Sequence, residues 1–104
     1  MAFEIKRGDR RPRYRVQLTS DGDPVDLTGV TSVRFIMKTG STIKVDEAAD
    51  IITAASGIVE YAWAAGDTDT SGDYNVEIEL DWSGEKQTFP NSGYFTAKVN
   101  EDLA

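Results

Sequence analysis

Any chemistry in this chain falls to carboxylates, arginines and aromatic rings, because the 104 residues contain no histidine and no cysteine. The commonest general base, the commonest transition-metal ligand and every thiol nucleophile are therefore missing. Hydrolytic triads and His-rich zinc sites are excluded. Disulfides are excluded too, although lack of cysteine leaves the redox compartment open. Four constellations remain.

The first is Gly66-Asp67-Thr68-Asp69-Thr70-Ser71-Gly72-Asp73, which matches the opening half of a calcium loop. Acidic residues at relative positions 1 and 3, an oxygen at 5 and glycine at 6 suit hard-cation ligation around a tight bend. The match fails at position 12, where Ile78 stands in place of a bidentate glutamate. Such side chains also make turns unaided, so a plain loop is expected, with Asp67, Asp69 and Asp73 as weak metal candidates. The second is Glu77 and Glu79, which share one strand face at about the spacing of a glycosidase carboxylate pair. Their simpler reading is the solvent side of an amphipathic strand, and no catalytic residue is expected. The third is a set of rings, Tyr61, Trp63, Trp82 and Tyr94, able to stack sugars if exposed. Tyr61 and Trp82 share parity with core residues, which argues for burial.

The fourth is a basic cluster. Residues 1–15 carry six basic residues against two acidic ones, a net of +4, whereas the whole chain has a net charge of −7. Lys6, Arg7, Arg10, Arg11 and Arg13 are the candidate partner-binding residues, since arginine pairs with carboxylates and backbone carbonyls at once. Part of this charge has an internal explanation: Arg11, Arg13 and Arg15 share parity and would balance Glu60, Glu77, Glu79 and Asp81 on neighbouring strands. The acidic balance elsewhere argues against nucleic acid as a partner. No apolar run approaches a membrane span, about 20 residues, and the charged N-terminus is unlike a signal peptide. A soluble chain made in a cytoplasm is expected.

The element around which these residues are placed is Gly72 to Pro90. Tyr74, Val76, Ile78, Leu80 and Trp82 alternate with Asn75, Glu77, Glu79 and Asp81, one apolar and one acidic face of a strand. Ser83-Gly84 turns the chain, and Pro90 ends the return strand. Val33, Phe35 and Met37 mark a second long strand with a turn at Thr39-Gly40-Ser41. Shorter strands are expected at Phe3–Lys6, after Pro12, at Ile43–Val45, near residues 50–54, at Ile58–Trp63 and at Tyr94–Val99. Ser20-Asp21-Gly22-Asp23-Pro24 is a dense turn. Turn signals every 8–12 residues and no convincing helix predict one all-β domain over residues 1–104, a β-sandwich or small barrel of seven to nine short strands.

Several strings also form an ordered set: Phe3-Glu-Ile-Lys-Arg-Gly-Asp9 with Pro12, Asp26-Leu-Thr-Gly29, Gly57-Ile-Val-Glu-Tyr-Ala-Trp63 with Gly66-Asp67-Thr68, Gly72-Asp-Tyr74, and Gln87-Thr-Phe-Pro90 with Gly93-Tyr94. Together they resemble the N-terminal domain of phage baseplate upper proteins and related small virion proteins of tailed phages. The resemblance implies an immunoglobulin-like antiparallel β-sandwich and a non-enzymatic structural component of a virion, without cofactor, acting through contacts with other tail, baseplate or capsid proteins. It further implies multiple copies on a symmetric assembly and no contact with membrane. In baseplate upper proteins the domain usually precedes a fibre or receptor-binding region. A free-standing copy would be a tail or baseplate component, an adaptor, or a capsid-surface decoration protein. A carbohydrate-binding sandwich contacting host glycans is the alternative left by the aromatic residues.

Overall fold

The computed structural model describes residues 3–103. Eleven strands and no helix occur among them. They are β1 (Phe3–Lys6), β2 (Tyr14–Gln17), β3 (Thr19–Ser20), β4 (Asp23–Pro24), β5 (Ser32–Thr39), β6 (Thr42–Ala48), β7 (Asp50–Thr53), β8 (Ile58–Tyr61), β9 (Gly72–Trp82), β10 (Glu85–Phe89) and β11 (Phe95–Asn100). The expected sandwich is present. The two strands beyond the expected number are β3 and β4, two residues each, which form a hairpin of their own.

β9 is the axis of the larger sheet. β5 pairs along one side of it; β11 and β10 share the other, β11 beside residues 72–76 and β10 beside residues 78–82. This two-sided pairing explains the alternation of β9. Tyr74, Val76, Ile78 and Leu80 are buried, and every register partner they meet on β5, β10 and β11 except Gln87 and Phe95 is a buried apolar residue. Trp82, at the end of the strand, is only half-buried and donates its indole N–H to Gln87 Oε1 at 2.9 Å. β6 and β1 close the two edges, giving the order β1-β11-β9-β5-β6 with β10 beside β9. β1 runs parallel to β11, a departure from the expected all-antiparallel pairing. Parity cannot distinguish the two directions, because it reports faces and not neighbours.

β2, β8 and β7 form the second sheet, in that order. The chain leaves the larger sheet for the second at residues 7–13, between β1 and β2, and again at Ala49, between β6 and β7; it returns before β5, by way of the β3–β4 hairpin, and again between β8 and β9. An aromatic cluster fills the space between the sheets. Phe35 stacks on Tyr61 with centroids 4.4 Å apart, and Trp63 meets both edge-on at 5.5 and 5.4 Å. Tyr14 packs against Phe3 and Phe35, each at 5.1 Å. Tilted and edge-on ring pairs add favourable quadrupole contacts to the burial itself.

Two turn positions rest on backbone freedom. Ser83 and Gly84 both take positive φ, 55° and 101°, the primed turn that matches strand twist. Gly57, at φ 69°, lies so close to the β3–β4 hairpin that a Cβ there would sit 2.7 Å from the carbonyl oxygens of both Leu18 and Val25. Only glycine fits this junction.

Candidate partner-binding site

Residues 7–13 form no strand, yet hydrogen bonds hold them from several directions. Gly8 N donates to Thr68 O at 2.8 Å, and Thr68 Oγ1 donates to Asp9 O at 2.7 Å. Trp63 acts twice: its Nε1 donates to Pro12 O at 3.0 Å, and its own carbonyl accepts from Arg10 Nε at 2.9 Å. Trp63 is 2% exposed and anchored in the aromatic cluster, so it ties the loop to the core. The polar turn Ala64–Ser71 supplies the other anchor through Thr68, which is itself buried.

The five basic residues proposed from sequence divide in two. Arg10, Arg11 and Arg13 line one cleft of about 320 Å³ with Ala62 and Trp63. Arg10 is fixed by the Trp63 carbonyl, and Arg13 reaches Glu60 Oε1 at 3.3 Å. Arg11 has no hydrogen bond or ion pair among the described residues. Lys6 and Arg7 turn instead to the C-terminal segment. Lys6 Nζ lies 3.4 Å from Glu101 O, and Arg7 makes ion pairs with Glu101 at 3.6 Å and Asp102 at 3.1 Å. The sequence offered no acidic strand opposite these two. The parallel pairing of β1 with β11 brings the acidic tail beside them.

The internal balance of the arginines also differs from expectation. Glu60, on β8, lies between Arg15, which donates twice to Oε2 at 3.0 and 2.8 Å, and Arg13. These bonds, Arg15's first, hold the Glu60 carboxyl below the usual carboxylate range. Glu60 is only 9% exposed, covered by the two guanidinium groups. Glu77, Glu79 and Asp81 belong to the other sheet, where Lys86 pairs with Glu79 at 3.4 Å. The shared parity was right for Glu60 alone, because parity names a face and not the sheet to which it belongs.

The remaining candidates separate in space. Asp67 accepts from Tyr61 Oη at 2.5 Å and from Ala64 N at 2.8 Å, a structural cap on the loop. Burial, and then Asp67, raise the Tyr61 phenol above its ordinary value. Asp69 is engaged by Lys44 at 2.5 Å, the main reason its carboxyl is depressed. Asp73 lies on β9 in register with Lys98. No group of three or more acidic residues converges in a metal-holding arrangement among the described residues. Of the candidate sugar-stacking rings, Tyr61 and Trp63 are core residues and Trp82 is half-buried; Tyr94 alone is open, at 60% exposure.

One protein family, described as the BppU N-terminal domain, matches over residues 3–103. No curated protein matches. Among solved structures, the N-terminal domain of phage TP901-1 ORF48 aligns with a TM-score of 0.69 at 13% identity, over 96% of this chain and 85% of that one. At such identity the likeness speaks for the fold alone.

Proposed function

The chain belongs to the baseplate-upper-protein N-terminal domain family, and from that premise we propose that it is a structural module of a tailed-phage tail or baseplate, working through protein–protein contacts centred on the β1–β2 loop. A phage baseplate structural role follows from membership. The contact surface rests on one observation: the loop carries Arg10, Arg11 and Arg13 into a common cleft while its shape is set by Trp63 and Thr68. A cationic surface ordered by neutral hydrogen bonds loses little entropy on docking. Lys6 and Arg7 serve the fold instead, clasping the C-terminal segment.

The module acts without catalysis, cofactor or metal. Asp67 and Asp69 already have partners within the chain, so chelation with EDTA should leave the melting temperature unchanged. Its partners are other virion proteins, met in multiple copies on a symmetric particle, and neither nucleic acid nor membrane. The acidic surface outside the loop keeps unassembled copies apart.

Electron microscopy of the parent particle tests this reading. Ordered copies at symmetry-related tail or baseplate positions, with residues 7–13 against a neighbouring protein, are the expected result. Copies spread over the capsid surface would make it a decoration protein. Copies whose only contacts lie at the opposite β6–β7 edge would overturn the assigned surface.

A further inference from the structure

The arginine cleft adjoins a second unused feature. β2 begins at Tyr14, directly after Arg13, and pairs only with β8; among the described residues no strand occupies its other side. An open edge presents free N–H and C=O groups in a row, which an extended peptide can extend as a further strand. At the start of that edge stand three guanidinium groups, two of them fixed and the third, on Arg11, unpaired.

We propose that β2 and the arginine cleft together form a receptor for an extended acidic segment of a neighbouring protein, which adds to the β2 edge and inserts one carboxylate side chain beside Arg11. The inference rests on the reading of the loop as a docking surface and names the chemistry of the partner. A fork of guanidinium donors matches a carboxylate in charge and geometry. The cleft, at about 320 Å³, has room for one acidic side chain and its water. Its position on a chain of net charge −7 argues for a short anionic element. A nucleic-acid backbone would run past the cleft onto acidic surface and be repelled. A single carboxylate flanked by neutral residues would not.

The probe is a blocked octapeptide of threonine with one central glutamate, its control carrying glutamine at that position, titrated into the isotopically labelled protein and followed by NMR. Amide shifts along Arg11–Gln17 and at Ala62, with weakening as salt is added, are expected. Arg11→Ala, an exposed position, should retain a dispersed spectrum and bind at least about tenfold more weakly, the usual loss for one charge-assisted contact. Three results would overturn the proposal: no shifts at millimolar peptide, equal binding of the glutamine control, or the same shifts with inorganic phosphate alone. Particle incorporation of Arg11→Ala, measured in parallel, separates this inference from the docking reading. Lost incorporation without peptide binding sinks the acidic-strand receptor and keeps the docking surface. Peptide binding by the wild type with normal incorporation of the variant keeps the receptor and moves the assembly contact elsewhere.

Discussion

β9 and the 7–13 loop are ordered by opposite means. β9 is held by neighbours on both sides, and its shape follows from a period of two that any window of its sequence displays. The loop has no period. It is held by Trp63 and Thr68, residues more than fifty positions away. A change in β9 should therefore reach the whole domain, whereas a change in the loop should stay local. The charge of Arg11, which has no partner among the described residues, should hardly count toward folding at all. In this domain the strands supply stability, and a loop pinned to them is free to carry residues chosen for a partner.

The largest effects should come from the sheets. Ile78→Ala deletes a side chain that is 1% exposed and meets Phe35 and Phe89 in register, and should cost about 2–5 kcal/mol in denaturant unfolding. A loss below about 1 kcal/mol would mean that β9 is not the axis of the core. Gly57→Ala should be comparably damaging, since both strain at positive φ and collision with two carbonyl oxygens must be relieved.

An intermediate effect is expected where the loop meets the core. Trp63→Phe keeps an aromatic ring in the cluster and removes the donor to Pro12 O, at a cost of about 1–2 kcal/mol. Amide exchange at Gly8 and Asp9, the loop amides that donate to Thr68 O and Lys6 O, should accelerate while exchange in β9 is unchanged relative to global stability. Uniform acceleration across both regions would erase the distinction between them.

Titration sharpens the contrast further. Glu60 has a folded-state pKa below its unfolded value, owing first to Arg15, so the stability it contributes is present above the unfolded carboxylate pKa and is lost as pH falls through the folded one. Glu60→Gln should flatten the acid limb of the stability curve. At the alkaline end, burial pushes the Tyr14 phenol up to about 12. Its contribution is complete below the unfolded pKa of about 10 and disappears as pH rises through the folded value. Loss of stability should begin in that window, and Tyr14→Phe should remove this component.

The two regions were not equally legible. The alternations of β5 and β9 and the turns at Asp21-Gly22 and Ser83-Gly84 could be read directly, because strand faces and primed turns are local properties. Arg10, Arg11 and Arg13 could be found as a cluster from charge alone. Their companions could not: parity suggested Glu77 and Glu79 as well as Glu60, and only the division into two sheets selects Glu60. Arg7 stands in the same basic cluster in sequence, and its partners Glu101 and Asp102, at the far end of the chain, leave no local signal there. Trp63 was legible as a large ring, but its two hydrogen bonds to the loop had no signal in the sequence.

The central claim is that Arg10 and Arg11 serve a partner and not the fold. Arg10→Glu with Arg11→Glu tests it in one pair of measurements, the melting temperature of the isolated protein and its incorporation into particles. Both side chains are exposed, and Arg11 has no internal partner, so stability should change by no more than about 0.5 kcal/mol beyond loss of the Arg10–Trp63 bond. Incorporation should fall sharply, and residual association of the wild type should weaken with salt. Wild-type incorporation by the double variant would contradict the account and leave these arginines as surface charge.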